Sequence, residues 1–331
     1  MTINCVWEHN GRDTLLYAVD FVGAYTRGET LEAAVRKMQA EICSYLKWCG
    51  KKAVTSMDIV IIEEKVSELA ICDADSDVLF ESEKAPLTAE EYIKLIFDNF
   101  FELHGDRKYG DDKSIIGGIG FLDKIPVTII GIQKGKNLKE NMERNFGSPY
   151  PEGYRKSLRL IKEAEKFNRP VICFINTSGA YCGVEAEERG QGEAIARNLF
   201  EIARVKVPII SIIIGEGGSG GAIALACGDK VWALENSVYS ILSPEGFASI
   251  LLKDSSKAKE VAEIMGITSY DLLNKGIIEK IITEPSGGAQ NDIKSVVKEL
   301  KSSLIVEINN LKSLDINDLL EKRYNRYRKF F

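Results

Sequence analysis

The sequence predicts a layered α/β fold preceded by a small α/β unit, and three observations carry that prediction. From Ile115 onward, short apolar strand-like runs alternate with long amphipathic patterns, the grammar of a sheet with parallel pairing. Two of those runs, Val171–Asn176 and Ile209–Gly215, each lead directly into a glycine-bearing turn. A chain of 331 residues also exceeds one ordinary hydrophobic core, so two units are expected, 1–82 and 83–331.

In the first unit, strand patterns at Ile3–Glu8 and Leu15–Val22 flank the turn-forming His9-Asn10-Gly11. A helix should follow, because Thr30 suits a cap and Leu31, Ala34, Val35, Met38, Ile42, Tyr45 and Leu46 recur on one face. A further strand is expected at Ile59–Ile62. The acidic Cys72–Asp77 stretch and the charged Glu81–Lys84 read as a connecting segment. Asp75, Ser76 and Asp77 lack the glycine and late glutamate of a calcium loop, so a solvated turn is expected there.

In the second unit, Ile115–Phe121 and Val127–Gln133 predict a hairpin about Lys124-Ile125-Pro126. Pro151–Phe167 predicts an amphipathic helix, Val171–Asn176 a buried strand, Ala186–Ala203 a helix, and Ile209–Gly215 a second buried strand. A helix near Ser219, strands at Lys230–Ala233 and Val238–Ile241, and helices from Pro244 and Ser256 follow. The charged helical segments Val297–Asn310 and Ile316–Tyr327 suit an exposed or partner-facing end.

Composition excludes several classes. Hydrophobic residues at 45% and charged residues at 28% are those of a soluble globular protein, and no apolar stretch reaches the roughly 18 residues a membrane span needs. The first residues, MTINCVWEHNGRD, carry no export signal, so the cytoplasm is the expected location and no membrane partner is expected. Seven scattered cysteines form no CxxC pair and are accompanied by two histidines, which predicts reduced thiols and no metal site on this chain. A net charge of -6 lacks the basic excess that favours nucleic acid.

The segment richest in chemical information is Gly215-Glu216-Gly217-Gly218-Ser219-Gly220-Gly221-Ala222. Glycine at this density is costly to order unless backbone must approach something closely. At a helix start the first amides point outward unpaired, so the segment suits a phosphate or a developing oxyanion, or else serves as a tight turn for close packing. No GK[ST] follows, and the dinucleotide fingerprint belongs in the first β-α unit, so phosphate is the weaker option. The turn Thr177-Ser178-Gly179-Ala180-Tyr181-Cys182-Gly183 occupies the equivalent place after Val171–Asn176. Two such turns on neighbouring parallel strands would aim amides into one crevice, an arrangement suited to enolate chemistry.

These residues sit within a longer series: His104-Gly105-Asp106-Arg107, Asp111-Asp112-Lys113, Gln133-Lys134-Gly135, Arg144-Asn145-Phe146-Gly147 and Pro151-Glu152-Gly153-Tyr154-Arg155-Lys156. It continues through Gly179-Ala180-Tyr181, Ala186–Gln191, Ala194–Leu199, Gly215–Ala222, Tyr239-Ser240 and Ser243-Pro244-Glu245-Gly246 to Arg323–Tyr327. In order and spacing, the region from about Ala85 to Arg328 resembles the alpha subunit of bacterial acetyl-CoA carboxylase carboxyltransferase. The resemblance implies a crotonase-like fold of repeated β-β-α units and an alpha2-beta2 heterotetramer with a beta subunit, active sites lying at the interface. It further implies carboxyl transfer from carboxybiotin, borne on a separate biotin carboxyl carrier protein, to acetyl-CoA, giving malonyl-CoA. That is the first committed step of fatty acid synthesis, within an ATP-dependent complex that includes biotin carboxylase. The beta subunit is expected to carry most of the acetyl-CoA side and a zinc.

By position, Gly220 and Gly221 match the family's oxyanion hole on the biotin side, while Gly217, Gly218, Gly179, Ala180 and Tyr181 shape the pocket. Such chemistry needs no side-chain base, in keeping with His9 and His104 lying far in sequence from the glycine turns. Lys134, Lys136, Arg144, Arg155, Lys156 and Arg159 are candidates for CoA phosphates, with solvated faces or subunit contacts as the alternative. Glu187, Glu188 and Arg189 read as capping and ion-pairing residues, with catalysis the lesser alternative. Tyr181 is either at the biotin mouth or in the core.

The chain departs from the family pattern at Asn176 and Cys182, where Asp and Pro are usual, and at Gly192, where Ser is usual. Its first 80 or so residues also begin with a hairpin where the family has helices, a layout that resembles small antitoxin-type domains of hairpin, helix and strand. The rival readings are another crotonase-like acyl-CoA enzyme (hydratase, isomerase or thioesterase), which needs a base on this chain, and a non-catalytic scaffold subunit.

Overall fold

The computed structural model describes residues 1–21, 24–48, 56–68 and 86–330. The connecting segment expected at Cys72–Lys84, with Asp75, Ser76 and Asp77, lies outside them. The chain divides into two compact units, Met1–Ala85 and Pro86–Phe331.

In the first unit, β1 (Thr2–His9) and β2 (Thr14–Ala18) form the expected antiparallel hairpin. Its turn is an Asx turn in which Asn10 Oδ1 accepts from the Arg12 and Asp13 amides at 2.9 and 2.8 Å. β2 stops at Ala18, short of the expected Val22, because the Ala18 amide turns to the Ala24 carbonyl at 3.0 Å; Val22 lies outside the described residues. A strand not anticipated, β3 (Tyr25–Gly28), pairs with β2; its residues Tyr-Thr-Arg-Gly carry no apolar alternation to announce it. Helix α1 (Leu31–Trp48) starts at Thr30, whose hydroxyl accepts from the Ala33 amide at 3.3 Å. Its buried Ala34, Met38, Ile42 and Leu46 cover Ile3, Cys5 and Leu16, and the crossover it makes lets β4 (Asp58–Val66) pair parallel to β1. The sheet order is β3-β2-β1-β4.

The second unit opens with α2 (Ala89–Ile96) and β5 (Asp98–Glu102), then β6 (Ile115–Leu122), β7 (Ile125–Ile132), α3 (Leu138–Glu143), α4 (Pro151–Lys166) and β8 (Val171–Thr177). It continues with α5 (Val184–Glu188), α6 (Gln191–Ile202), β9 (Ile209–Gly218), α7 (Ser219–Ile223), β10 (Lys230–Leu234) and β11 (Val238–Ser240). It ends with α8 (Pro244–Leu251), α9 (Ala258–Met265), α10 (Ser269–Asn274), β12 (Lys280–Ile282), α11 (Ile293–Lys312) and α12 (Ile316–Arg328). The sheet runs β12-β10-β9-β8-β7-β6-β5, with β11 pairing the far end of β9. β5 to β7 are antiparallel and β7 to β12 parallel.

Alternation along the central strands builds two cores. Phe174, Ile210, Ile212 and Ile214 face one side with Trp232 and the α11 residues Leu300, Leu304 and Ile308. Cys173, Ile175, Ile209 and Ile213 face the other with Leu160 and Ile161 of α4. A strand buried on both faces is therefore apolar along most of its length, which is why β8 and β9 were so plain in the sequence.

Four expectations are corrected. The hairpin turn is Asp123-Lys124, Asp123 having φ 56°, and Pro126 belongs to β7 ahead of Thr128, where pairing to β8 begins. The single helix expected over Ala186–Ala203 is two, because Gly190 at φ 82° is left-handed. The helix after the glycines is one short turn, and β9 extends through Gly218. The charged C-terminal helices are not merely exposed: α11 buries Val296, Leu300, Leu304, Ile308 and Leu311, and α12 buries Leu319 and Arg323.

Arg323, 2% exposed, is a clamp. Its guanidinium donates to both Asp229 oxygens at 2.8 Å and to the carbonyls of Ile202, Val205 and Val207 at 2.9, 2.6 and 2.9 Å. Asp229 in turn accepts from the Ile209 amide at 2.7 Å, so α12 fixes the start of β9. Among the described residues, no helix is long and apolar enough to cross a membrane.

Candidate active site

The C-terminal ends of β8 and β9 carry the two glycine turns side by side. Ile175 pairs with Ile213, then Thr177 with Gly217, so β9 bulges by two residues relative to β8. Asn176 holds this bulge: its Oδ1 accepts from the Glu216 amide at 3.1 Å, and a Cβ on Gly215 would stand 2.8 Å from that oxygen. The family departure at Asn176 is therefore a tie between the two turns. Thr177 Oγ1 accepts from the Gly179 amide at 3.0 Å and folds the first turn back on itself.

The turns meet backbone to backbone. A Cβ on Gly218 would overlap the Ser178 carbonyl, and one on Gly221 would stand 2.5 Å from the Ala180 nitrogen and 2.6 Å from the Gly179 carbonyl carbon. Gly217 faces Tyr239 of β11, its strand partner. Gly220 is less constrained, its nearest neighbours being Ile195 carbons at 3.8 and 3.9 Å. Ser219, at φ 52°, turns the chain sharply into α7. The amides of Gly220 and Gly221 have no partner inside that helix, and no turn or cap bond among the described residues takes them. Because α7 has five residues, the site relies on individual N–H directions rather than on a long helix dipole.

Tyr181 stands at the far end of the first turn, half-buried. Its amide donates to the Pro149 carbonyl at 3.0 Å, its ring lies 4.5 Å from that of Tyr150, and its carbonyl accepts from Gln191 Nε2 at 2.8 Å. Cys182 beside it is exposed.

The six candidate cations all have partners within the chain. Lys134 pairs with Glu216, inside the glycine segment, at 2.5 Å, and Lys136 with Glu91 at 2.7 Å. Arg144 pairs with Glu90 at 3.1 Å, Lys156 with Asp111 at 2.6 Å and Arg159 with Glu163 at 2.8 Å. Arg155 meets Asp106 at 2.8 Å, Glu152 at 2.9 Å and the Arg189 carbonyl at 2.9 Å. Burial pushes the Asp106 carboxyl up, but the Tyr109, Lys108 and Gly110 amides and Arg155 outweigh it and bring it down to about 2. Arg189 joins this network through Glu152 at 2.8 Å, while Glu187 and Glu188 are exposed. His104 pairs with Asp111 at 3.2 Å, and His9 with Glu64 at 2.9 Å in the first unit. Tyr154 and Gln191 are two further buried polar residues beside the turns, and in the sequence nothing but their place in the family-like motifs marks them.

Residues 82–331 match the family described as "Acetyl co-enzyme A carboxylase carboxyltransferase-like". The acetyl-coenzyme A carboxylase carboxyl transferase subunit alpha of Clostridium acetobutylicum is 64% identical over 241 residues, 73% of this chain and 88% of that protein. A protein of Clostridium tetani named for subunits beta/alpha is 63% identical over 247 residues, covering 75% of this chain and 43% of that one. Among solved structures, the transcarboxylase 12S hexamer core matches at TM-score 0.55 and 18% identity, covering 70% of this chain and 43% of that one. A Pseudomonas malonate decarboxylase hetero-tetramer matches at TM-score 0.56 and 16% identity, covering 67% and 89%. The chain thus spans less than half the length of the Clostridium tetani protein and of the transcarboxylase chain. At these identities the structural matches show the fold, which is crotonase-like. With a family match over most of its length and relatives above 60% identity, this chain belongs to the acetyl-CoA carboxylase carboxyltransferase family, among its alpha subunits.

Proposed function

We propose that this chain is the alpha half of a carboxyltransferase that moves a carboxyl group from carboxybiotin to acetyl-CoA, giving malonyl-CoA, and that it works with a beta subunit in an alpha2-beta2 assembly. The biotin arrives on a carrier protein loaded by biotin carboxylase, the product feeds fatty acid synthesis, and the complex resides in the cytoplasm. The zinc is assigned to the beta subunit, and the N-terminal unit, Met1–Ala85, stands outside this assignment. One observation carries the reading: among the described residues, no turn or cap bond takes the Gly220 and Gly221 amides, at the point where two glycine turns close on each other.

The residues present suit a cyclic urea carbonyl. Gly220 leaves open space beside its backbone, and Gly221 lets the amide ridge sit directly on the Gly179–Ala180 turn. Carboxybiotin, when bound, supplies the activated carboxyl group. Gly220 and Gly221 donate their N–H groups to the oxygen on which negative charge develops, each donor contributing roughly 2.7 to 4 kcal/mol. Gly217, Gly218, Gly179, Ala180 and Tyr181 form the walls. Asn176 and the Lys134–Glu216 pair keep the second turn from drifting, so its donors are oriented before the reaction. Lys134 keeps 36% of its side chain exposed and is the candidate for a CoA or beta-subunit contact, while Arg155, at 14%, braces the α4 network.

The test is malonyl-CoA-dependent carboxylation of free biotin by this chain mixed with a beta subunit, compared with each alone. Activity only in the mixture, lost in a Gly220→Pro variant that still assembles, supports the reading. An inactive mixture, or acyl-CoA turnover by this chain alone, overturns it.

A further inference from the structure

Among the described residues, two buried side-chain atoms have no hydrogen-bond partner, the Tyr154 hydroxyl and Gln191 Oε1. Both residues lie against the turn that runs through Gly179, Ala180 and Tyr181. Tyr154, on α4, is fully buried, and its hydroxyl stands 2.9 Å from the place a Gly221 Cβ would occupy. The Ala180 nitrogen is 2.5 Å from the same place, and no turn or cap bond among the described residues takes its N–H. Gln191, opening α6, already donates through Nε2 to the Pro149 and Tyr181 carbonyls at 2.8 Å, which leaves its oxygen over. A buried polar atom without a partner costs free energy comparable to a lost hydrogen bond. Here both such atoms fall beside one turn, and that turn adjoins the amides assigned to charge stabilisation.

We infer that Tyr154 is a positioning residue for the carboxyl transfer, an inference that rests on the function proposed above. In the free chain the Ala180 nitrogen and the Tyr154 oxygen flank one small space without bonding. When the turn closes over a bound cyclic urea, the Ala180 N–H donates to the Tyr154 hydroxyl oxygen. This seats the turn on Gly221 and sets the direction of the Gly221 N–H. The hydroxyl touches neither substrate nor the transferred carboxyl, so it acts through Gly221. Its contribution belongs to the reacting complex and is absent from the stability of the free chain.

Tyr154→Phe separates these states. In the chain alone, the melting temperature should equal or exceed that of the parent, because the removed hydroxyl has no partner there. In the complex with a beta subunit, kcat for carboxylation of free biotin should fall about tenfold, the size of one neutral hydrogen bond made only in the reacting state. KM for malonyl-CoA should hold. A lowered melting temperature would mean that the hydroxyl is already bonded at rest, and an unchanged kcat would mean that it does not position the turn; either overturns the inference. Absence of transfer in the unmutated complex is a different result, read on the parent protein, and overturns the functional reading together with what rests on it.

Discussion

Replacing Gly221 by alanine tests the contact on which the site is built. The added methyl would stand 2.5 Å from the Ala180 nitrogen, 2.6 Å from the Gly179 carbonyl carbon and 2.9 Å from the Tyr154 hydroxyl. Two of these neighbours are backbone and cannot swing aside, so one turn must recede by roughly 1 Å to reach ordinary contact, a displacement that can cost about 10²-fold in rate. Gly221→Ala should therefore lower kcat for biotin carboxylation in the complex by about two orders of magnitude, similar to loss of one oxyanion donor. Gly192→Ala, on α6, is the matched control: its methyl meets no heavy atom within 4 Å, and Gly192 is not among the residues assigned to the pocket. Its rate should stay close to that of the parent. The assay is initial rate at saturating malonyl-CoA, with assembly checked by size-exclusion chromatography. Parent-like activity in Gly221→Ala, or an equal loss in Gly192→Ala, would refute the argument, since the contact at Gly221 would then not set the rate.

Two further outcomes follow from the scaffold. Arg323→Met leaves Asp229 buried without its countercharge and should cost about 3–5 kcal/mol, read as a fall of about 6–20 °C in melting temperature. Adding Asp229→Leu should recover only part, because the Ile209 amide then loses its acceptor; a single variant that melts like the parent refutes the clamp. Asp106, held at about 2, has a folded-state value below the ordinary carboxylate range, so its stabilisation is present above pH about 4 and is lost as pH falls towards 2. Urea unfolding across that window should show a shallower pH dependence in Asp106→Asn, and an identical slope in both proteins would contradict the assignment.

Much of this architecture was legible locally. β8 and β9 announced themselves because strands buried on both faces form near-continuous apolar runs, and α1 because a helix on one face of a sheet must repeat its apolar residues every three or four positions. The glycine segment was conspicuous because such density is costly to order without a reason. Strand β3 and the break at Gly190 were not visible, since an edge strand needs no apolar alternation and a left-handed glycine looks like any other glycine in sequence.

Periodicity and composition act over a few residues, so the elements, their buried faces and the family series were decided by the sequence alone. The contacts that make a site were not. Gly218 against Ser178, Gly221 against Ala180, and Asn176 against Glu216 each join residues about 40 apart, and they depend on a two-residue slip between parallel strands that no local pattern encodes. Arg323 and Asp229 lie 94 residues apart, and a charged residue on a charged helix reads as surface until tertiary packing buries it against its partner. Tertiary structure alone decided which amides remain unpaired, because a hydrogen bond forms or fails over tenths of an ångström, far below what residue identity specifies.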